Sequence, residues 1–225
     1  MIGPAAWAAV ALSLKVALLA VICALPLAIW VAYILARKRF ALHGMLNALV
    51  HLPLVMPPVV TGYLLLVIFG RQGAVGAALY DWFGVTLAFN WTGAALAAAV
   101  MGFPLMVRAI RLGIEAADPA LEEAAATLGA GRIRVFTSVN LPQIAPGIVA
   151  GAVLGFAKAL GEFGATITFV AAIPGQTQTI PSAIYGLLQV PGQETAVAVL
   201  VAISIALALG ALVLSEWLAR RMVTR

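Results

Sequence analysis

Apolar positions fill this chain in long blocks, separated by short runs where polar and charged residues collect. A membrane-crossing helix needs about 20 apolar residues, and five blocks reach that length: 16–36, 47–69, 92–114, 142–170 and 195–217. The pattern predicts an all-α, polytopic membrane protein with about five transmembrane helices. Arg37, Lys38 and Arg39 follow the first block, so the positive-inside rule places them on the cytoplasmic side. Counting onward, Arg108, Arg111, Arg132, Arg134, Arg220, Arg221 and Arg225 also fall inside and Arg71 outside. That makes ten basic residues inside against one outside, with Lys15 and Lys158 at or within membrane segments. The N-terminus is then external and the C-terminus cytoplasmic.

Several blocks carry local features. The first extends back to about Ala5, longer than a bilayer requires; either Lys15 snorkels to the outer headgroups or the chain begins with an interfacial stretch. In the second, Pro53, Pro57 and Pro58 remove backbone donors within a few turns, which argues against a straight helix. Broken backbone at membrane depth is tolerated where it is buried in protein or lines a wet cavity. The segment is thus a pathway wall or a kinked packing helix. His51 reads as a packing or hydrogen-bonding residue and His43 as a loop residue. Residues 70–91 form an external connection with Tyr80, Trp82, Phe83 and Trp91, and a short surface helix is predicted near 76–83. Gly102 and Pro104 predict a bend in the third block.

The fourth block holds Lys158 and Glu162, an ionisable pair at helical i, i+4 spacing. Lys158 lies 16 residues beyond Pro142, about 24 Å along a helix and so in the outer half of the bilayer. The stretch Gly161-Glu162-Phe163-Gly164-Ala165-Thr166 is read in two ways, as a gate or outer vestibule and as a structural ion pair anchoring neighbouring helices. Residues 171–194 form an external loop in which Pro181 to Gln189 can make a short helix dipping into an outer cavity. The last block ends at Glu216-Trp217, an inner interface anchor.

Between the third and fourth blocks lies a polar island, Asp118 to Pro142. Asp118 is suited to capping a helix and Pro119 to its first turn, where no N–H is needed. Glu122 and Glu123 sit near the positive end of the helix dipole. Leu121, Ala124, Ala125 and Leu128 fall on one narrow apolar face. Gly129 and Gly131 stop the helix and allow a sharp reversal. A short basic segment with Ile133, Val135 and Phe136 follows, giving a helix–elbow–helix at the membrane surface that ends at Pro142.

Composition narrows the function classes. Of the 225 residues, 64% are hydrophobic and 9% charged, against about 25% charged in soluble domains. The net charge of +5 is absorbed by the orientation rule and gives no reason to invoke an anionic partner. The first basic residue is Lys15, so the start does not look like a cleaved secretory signal. Cys23 is the single cysteine and rules out an intrachain disulfide framework. No GxxxxGK[S/T] loop, HExxH, GxSxG or paired Cys/His set occurs, so no catalytic and no metal residues are assigned. Dispersed basic residues argue against nucleic-acid binding. Transport remains; a passive channel or a purely structural subunit are the readings from other classes.

The island resembles the cytoplasmic loop of ABC importer permeases: Glu123-Ala124-Ala125, then Gly129, then Val139-Asn140-Leu141-Pro142, with Val139 in place of Ile. In that family the loop is a coupling helix docked into the ATPase subunit. The resemblance assigns coupling to Glu122, Glu123, Ala124, Ala125, Leu128, Gly129, Leu141 and Pro142. The stretches HLPLVMPPVVTGYLLL, FPLMVRAIRLGIE, LGEFGATITFVAAIPGQTQTIPSAIY and SEWLAR extend the likeness across most of the chain, to the molybdate permeases. It implies a type I ABC importer fold: one transmembrane domain over 1–225, with a core of about 9–217 and the coupling loop at 118–142. It implies a homodimer in a prokaryotic cytoplasmic membrane, two ATPase subunits that carry ATP-Mg so that this chain has no cofactor, and an external molybdate-binding protein. By the same analogy Pro57, Pro58, Thr61, Lys158, Gly161, Glu162, Phe163, Gly164, Thr166 and Thr168 belong to the gate or pathway, the threonines as candidates by residue type. Molybdate, tungstate and sulfate are not distinguished by the residues themselves.

Overall fold

The computed structural model describes residues 3–223; of Arg132, Ala219, Arg220, Met222 and Val223 the backbone alone is described. Arg225 lies outside that range, as do the side chains of Arg132 and Arg220. The described residues form helices throughout: α1 (Pro4–Arg37), α2 (His43–Val55), α3 (Pro58–Phe69), α4 (Ala74–Phe83), α5 (Trp91–Ala116), α6 (Pro119–Thr127), α7 (Arg132–Val135), α8 (Leu141–Leu160), α9 (Gly164–Val170), α10 (Ile180–Leu188) and α11 (Glu194–Val223). Residues Phe136–Asn140 form a π-helical turn that joins α7 to α8 without a stop.

Small residues set the packing. Without a hydrophobic drive between helices in lipid, close approach of backbones supplies the contact. On α1, Ala20, Ala24, Ala28 and Ala32 recur every fourth position and all are buried. They meet α5, which offers Ala94, Ala98 and Gly102 at the same spacing. The outer half of α1 (Val16, Ala17, Ala20) packs with the start of α5, and its inner half (Ala28, Leu35) with Met106 to Ile114. The two helices are therefore parallel, and the chain must cross the layer once between them. The α2–α3 pair makes that crossing, bent by 112° at its break, where Pro57 and Pro58 withhold donors. Helix α8 runs antiparallel to α5, because Gly147 lies against Gly113 and Gly155 against Gly102. With α11 antiparallel to α8, the order in, out, in, out, in follows, as the charge pattern predicts.

Three expectations need correction. The predicted 142–170 helix is two helices: α8 stops at Leu160 and α9 starts at Gly164. Pro142 does not open the fourth span, since the helix is already running from Arg132 through the π turn, so the second arm of the elbow is the root of the span itself. His43 is not a loop residue: it starts α2, and its Nε2 lies 3.0 Å from the Leu35 carbonyl near the end of α1. His51 does make a hydrogen-bonding contact, to the Asn47 carbonyl at 2.8 Å.

The external elements match the predicted positions. Helix α4 covers the surface helix expected near 76–83, and α10 the one expected from Pro181 to Gln189. Ile180 and Ala183 of α10 pack on Ala9 and Val10 of α1 and Leu200 of α11. The Ile180 N–H donates to Ser13 Oγ at 2.7 Å. That contact accounts for the extra length of α1: its 34 residues span about 51 Å, and the outer turns support α10 beyond the bilayer. The exposed Lys15 lies over the Trp91 ring, 3.6 Å from its centroid, a cation–π contact at the start of α5.

Candidate functional site

The polar island forms as its residues dictate. Asp118 Oδ1 accepts the Ala120 N–H at 2.9 Å, Pro119 takes the first turn, and Glu122 sits in that turn. At the other end Gly129 has φ +84°, its N–H donates to Ala126 O, and the Ala130 N–H donates to Ala125 O. This pair of reversed bonds is the Schellman stop, and the left-handed residue it requires is glycine. The EAA-xxx-Gly spacing thus has a local cause: Ala125 and Ala126 supply the carbonyls that Gly129 and Ala130 close upon.

No residue of α6 is buried. Leu121 is exposed, and Leu128 at 88% and Ile133 at 82% are among the most exposed apolar side chains of the chain. Glu123, Ala124, Leu141 and Pro142 are exposed too, while Glu122 and Ala125 are half-covered. The elbow is nonetheless tied down. Gln143 Oε1 accepts the Asp118 N–H at 3.0 Å, and its Nε2 donates to Val139 O. One side chain on the first turn of α8 thereby fixes the angle at which α6 leaves α5. Sequence reasoning missed Gln143, and no motif marks it.

At the opposite end of α8 the other predicted residues come together from two distant parts of the chain. Helix α3 lies against α9 with almost no side chain between them. A Cβ on Gly62 would stand 2.5 Å from Ala165 O and 2.9 Å from Thr168 Cβ, and one on Gly164 2.6 Å from Pro58 Cβ. Glu162, in the break before α9, is buried. Its Oε2 accepts from Lys158 Nζ at 2.6 Å and its Oε1 accepts the Ala165 N–H at 2.9 Å. The pair thus joins the two helices, the carboxylate at the start of α9 and the Lys158 ammonium in the last turn of α8, each at the end whose dipole favours its charge. Exposure is unequal: the Glu162 side chain is 1% exposed and that of Lys158 28%. Phe163 packs on Tyr185 of α10, ring centroids 5.2 Å apart and planes tilted by 41°. Helix α9 ends at Ala171, whose φ of +59° is rare for a residue with a side chain. The buried Thr177 hydroxyl braces the turn that follows, donating to Ala171 O and accepting the Ile173 N–H.

The three threonines are placed differently. The Thr166 hydroxyl donates to Phe163 O, just before α9, and that of Thr168 to Gly164 O within it. Thr61 Oγ1 is buried and has no partner among the described residues. A buried hydroxyl without a partner is uncommon and calls for an explanation. Gly161 caps the end of α8, and Pro57 and Pro58 form the break that starts α3.

Between elbow and joint runs the seam of α8 with α5. Gly147, Gly151 and Gly155 recur every fourth residue and face Gly113, the Met106–Ile110 turn and Gly102. The GxxxGxxxG spacing was available in the sequence as a helix-packing signal.

A family model described as binding-protein-dependent transport system inner membrane component matches residues 24–224. The chain belongs to this family. It is therefore a multi-pass inner-membrane component, not an enzyme in its own right. The chain is 62% identical over 214 residues to the Molybdenum transport system permease protein ModB of Escherichia coli (strain K12), covering 95% of this chain and 93% of that protein. It is 35% identical over 195 residues to the Sulfate transport system permease protein CysT of Salmonella typhimurium (strain LT2), covering 85% of this chain and 70% of that protein. Among solved structures, a bacterial alginate ABC transporter in complex with alginate pentasaccharide-bound periplasmic protein superposes with a TM-score of 0.71 at 21% identity, over 96% of this chain and 78% of the other. At that identity the likeness speaks for the fold alone, the type I ABC importer fold.

Proposed function

We propose that this chain is the permease subunit of an ATP-driven importer that carries molybdate inward across the cytoplasmic membrane. The cargo rests on the contrast between 62% identity to a molybdenum permease and 35% to a sulfate permease. The observation that carries the mechanism is the uncovered, doubly tethered elbow at one end of α8 and the Glu162-linked break at the other. ATP and its magnesium belong to separate ATPase subunits, two of which dock on the α6 elbows of a homodimer. An external binding protein delivers the oxyanion.

Leu128, Ile133 and Leu121 give the ATPase an apolar surface to cover, and small Ala124 lets its backbone come close. When ATP binding draws the two elbows together, the Gln143 tether passes the displacement to α8. Twenty residues of helix, about 30 Å, deliver it to the α8–α9 break. There α9 shifts against α3 and the pathway opens outward. A tetrahedral dianion in transit is best met by single hydroxyls and N–H groups, since several fixed cations would trap it. Lys158, the less buried member of its pair, and Thr61, whose buried hydroxyl has no partner among the described residues, are the candidates we assign to this role.

The test is ATP-dependent molybdate uptake into proteoliposomes holding permease, ATPase and binding protein, with sulfate as competitor. We expect uptake that survives excess sulfate. Uptake abolished by sulfate reassigns the cargo. Gly129→Val forces a β-branched residue into a left-handed position at a cost of about 1–3 kcal/mol, and Glu123→Lys puts a cation near the positive helix end; each should abolish uptake in folded protein. Normal uptake in both removes the coupling role.

A further inference from the structure

A second feature lies away from the elbow and the joint. Helices α1, α2 and α5 leave a groove of about 470 Å³ between them, walled by Cys23, Leu27 and Val31 of α1, Leu49 and Pro53 of α2, and Phe103 of α5. Almost nothing polar faces it. Its long direction follows α1, from Cys23 to Val31, about 12 Å at 1.5 Å per residue. On the cytoplasmic side of the groove His43 bonds to Leu35 and joins α2 to α1. About two turns beyond Val31, where α1 ends, Arg37, Lys38 and Arg39 are all exposed, and among the described residues none of them has an ion-pair partner. Arg111 reaches across the same end, with Nη1 3.2 Å from Asn47 Oδ1, and is already paired with Glu115.

The geometry points to a binding site for one anionic phospholipid of the inner leaflet, an acyl chain in the groove and the phosphate at Arg37, Lys38 and Arg39. Chemistry selects this occupant. An acyl chain gains little by leaving other acyl chains for an apolar groove, since lipid is as apolar as the groove wall. Retention and selectivity must then come from the headgroup, and three unpaired cations favour an anionic one. A zwitterionic headgroup offers its own cation to the same residues and is discriminated against.

The experiment uses the permease–ATPase complex in nanodiscs of phosphatidylcholine. A trace of phosphatidylglycerol with a photoreactive diazirine on its acyl chain is added, and adducts are mapped by peptide mass spectrometry. Adducts should concentrate on the groove segments 23–31 and 46–53, and unlabelled phosphatidylglycerol should suppress them at least tenfold more effectively than phosphatidylcholine. Lys38→Gln/Arg39→Gln should erase that preference while leaving ATPase activity in place, and Ala99→Trp, which fills the groove, should move the adducts elsewhere. Equal competition by phosphatidylcholine, adducts spread evenly onto the outward face of α11, or crosslinks to a second copy of the chain would each overturn the assignment. The readout does not depend on the identity of the cargo.

Discussion

The α5–α8 seam and the α3–α9 joint are built from the same material and behave as opposites. Each brings two backbones together over glycine: Gly147 and Gly155 on Gly113 and Gly102 in the seam, Gly62 and Gly164 on Ala165 and Pro58 in the joint. The difference lies in what surrounds the contact. In the seam both partners are long unbroken helices, so every glycine contact reinforces the next. In the joint both partners are short, α3 bounded by the Pro57–Pro58 bend and α9 by the break at 161–163 and the left-handed Ala171. Close packing over a continuous rod makes a strut. The same packing between short pieces set off by breaks makes a panel, which we propose moves as a unit. Glycine alone therefore predicts proximity, and the placement of breaks decides rigidity.

The strongest way to challenge this contrast is Gly147→Val. Its Cβ meets Gly113 Cα at 3.1 Å and Ala109 O at 3.2 Å, backbone atoms that cannot turn aside. Overpacking of this kind costs about 1–3 kcal/mol, and we expect a lowered Tm and a sharply reduced yield of assembled transporter on size exclusion. Gly62→Val is the matching change in the joint. We expect α9 to be pushed aside, with uptake down about tenfold, equivalent to about 1.4 kcal/mol, and a Tm shift smaller than that of Gly147→Val. Equal loss of folding in both variants would break the distinction. The smallest effect separates the members of the ion pair. Lys158→Met strands a fully buried carboxylate, whereas Glu162→Gln leaves a half-buried ammonium and keeps an acceptor for the Ala165 N–H. Lys158→Met should therefore lower the yield of assembled protein more, and Glu162→Gln should lower uptake a few-fold with assembly kept. The reverse order would mean that the pair is a simple anchor.

Hydropathy and charge bias located every crossing because they depend on the bilayer, not on partners. The α6 elbow was equally legible, since Asp118, Pro119 and Gly129 act on their own neighbours. The break at 161–163 was not, because the apolar run continues through it and only a tertiary contact, α9 on α3, rewards leaving the helix there. Glu162 reads in sequence as half of an i, i+4 pair; that it also caps a second helix depends on that break. Gln143 and the Gly147-Gly151-Gly155 stripe share the difficulty in another form. The spacing of the stripe is visible, but which helix it faces, and what Gln143 bonds to, are properties of the fold.

The π turn at Phe136–Asn140 has a consequence for how this chain tolerates change in length. A wide turn is what one surplus residue looks like inside an α-helix. Deleting one residue there lets the turn close to ordinary α pitch, and α7 and α8 keep their mutual phase. The same deletion anywhere within α8 would rotate one part of the glycine stripe relative to the rest by about 100°, turning it away from α5. The join between elbow and rod thus has a residue to spare, and the rod itself has none.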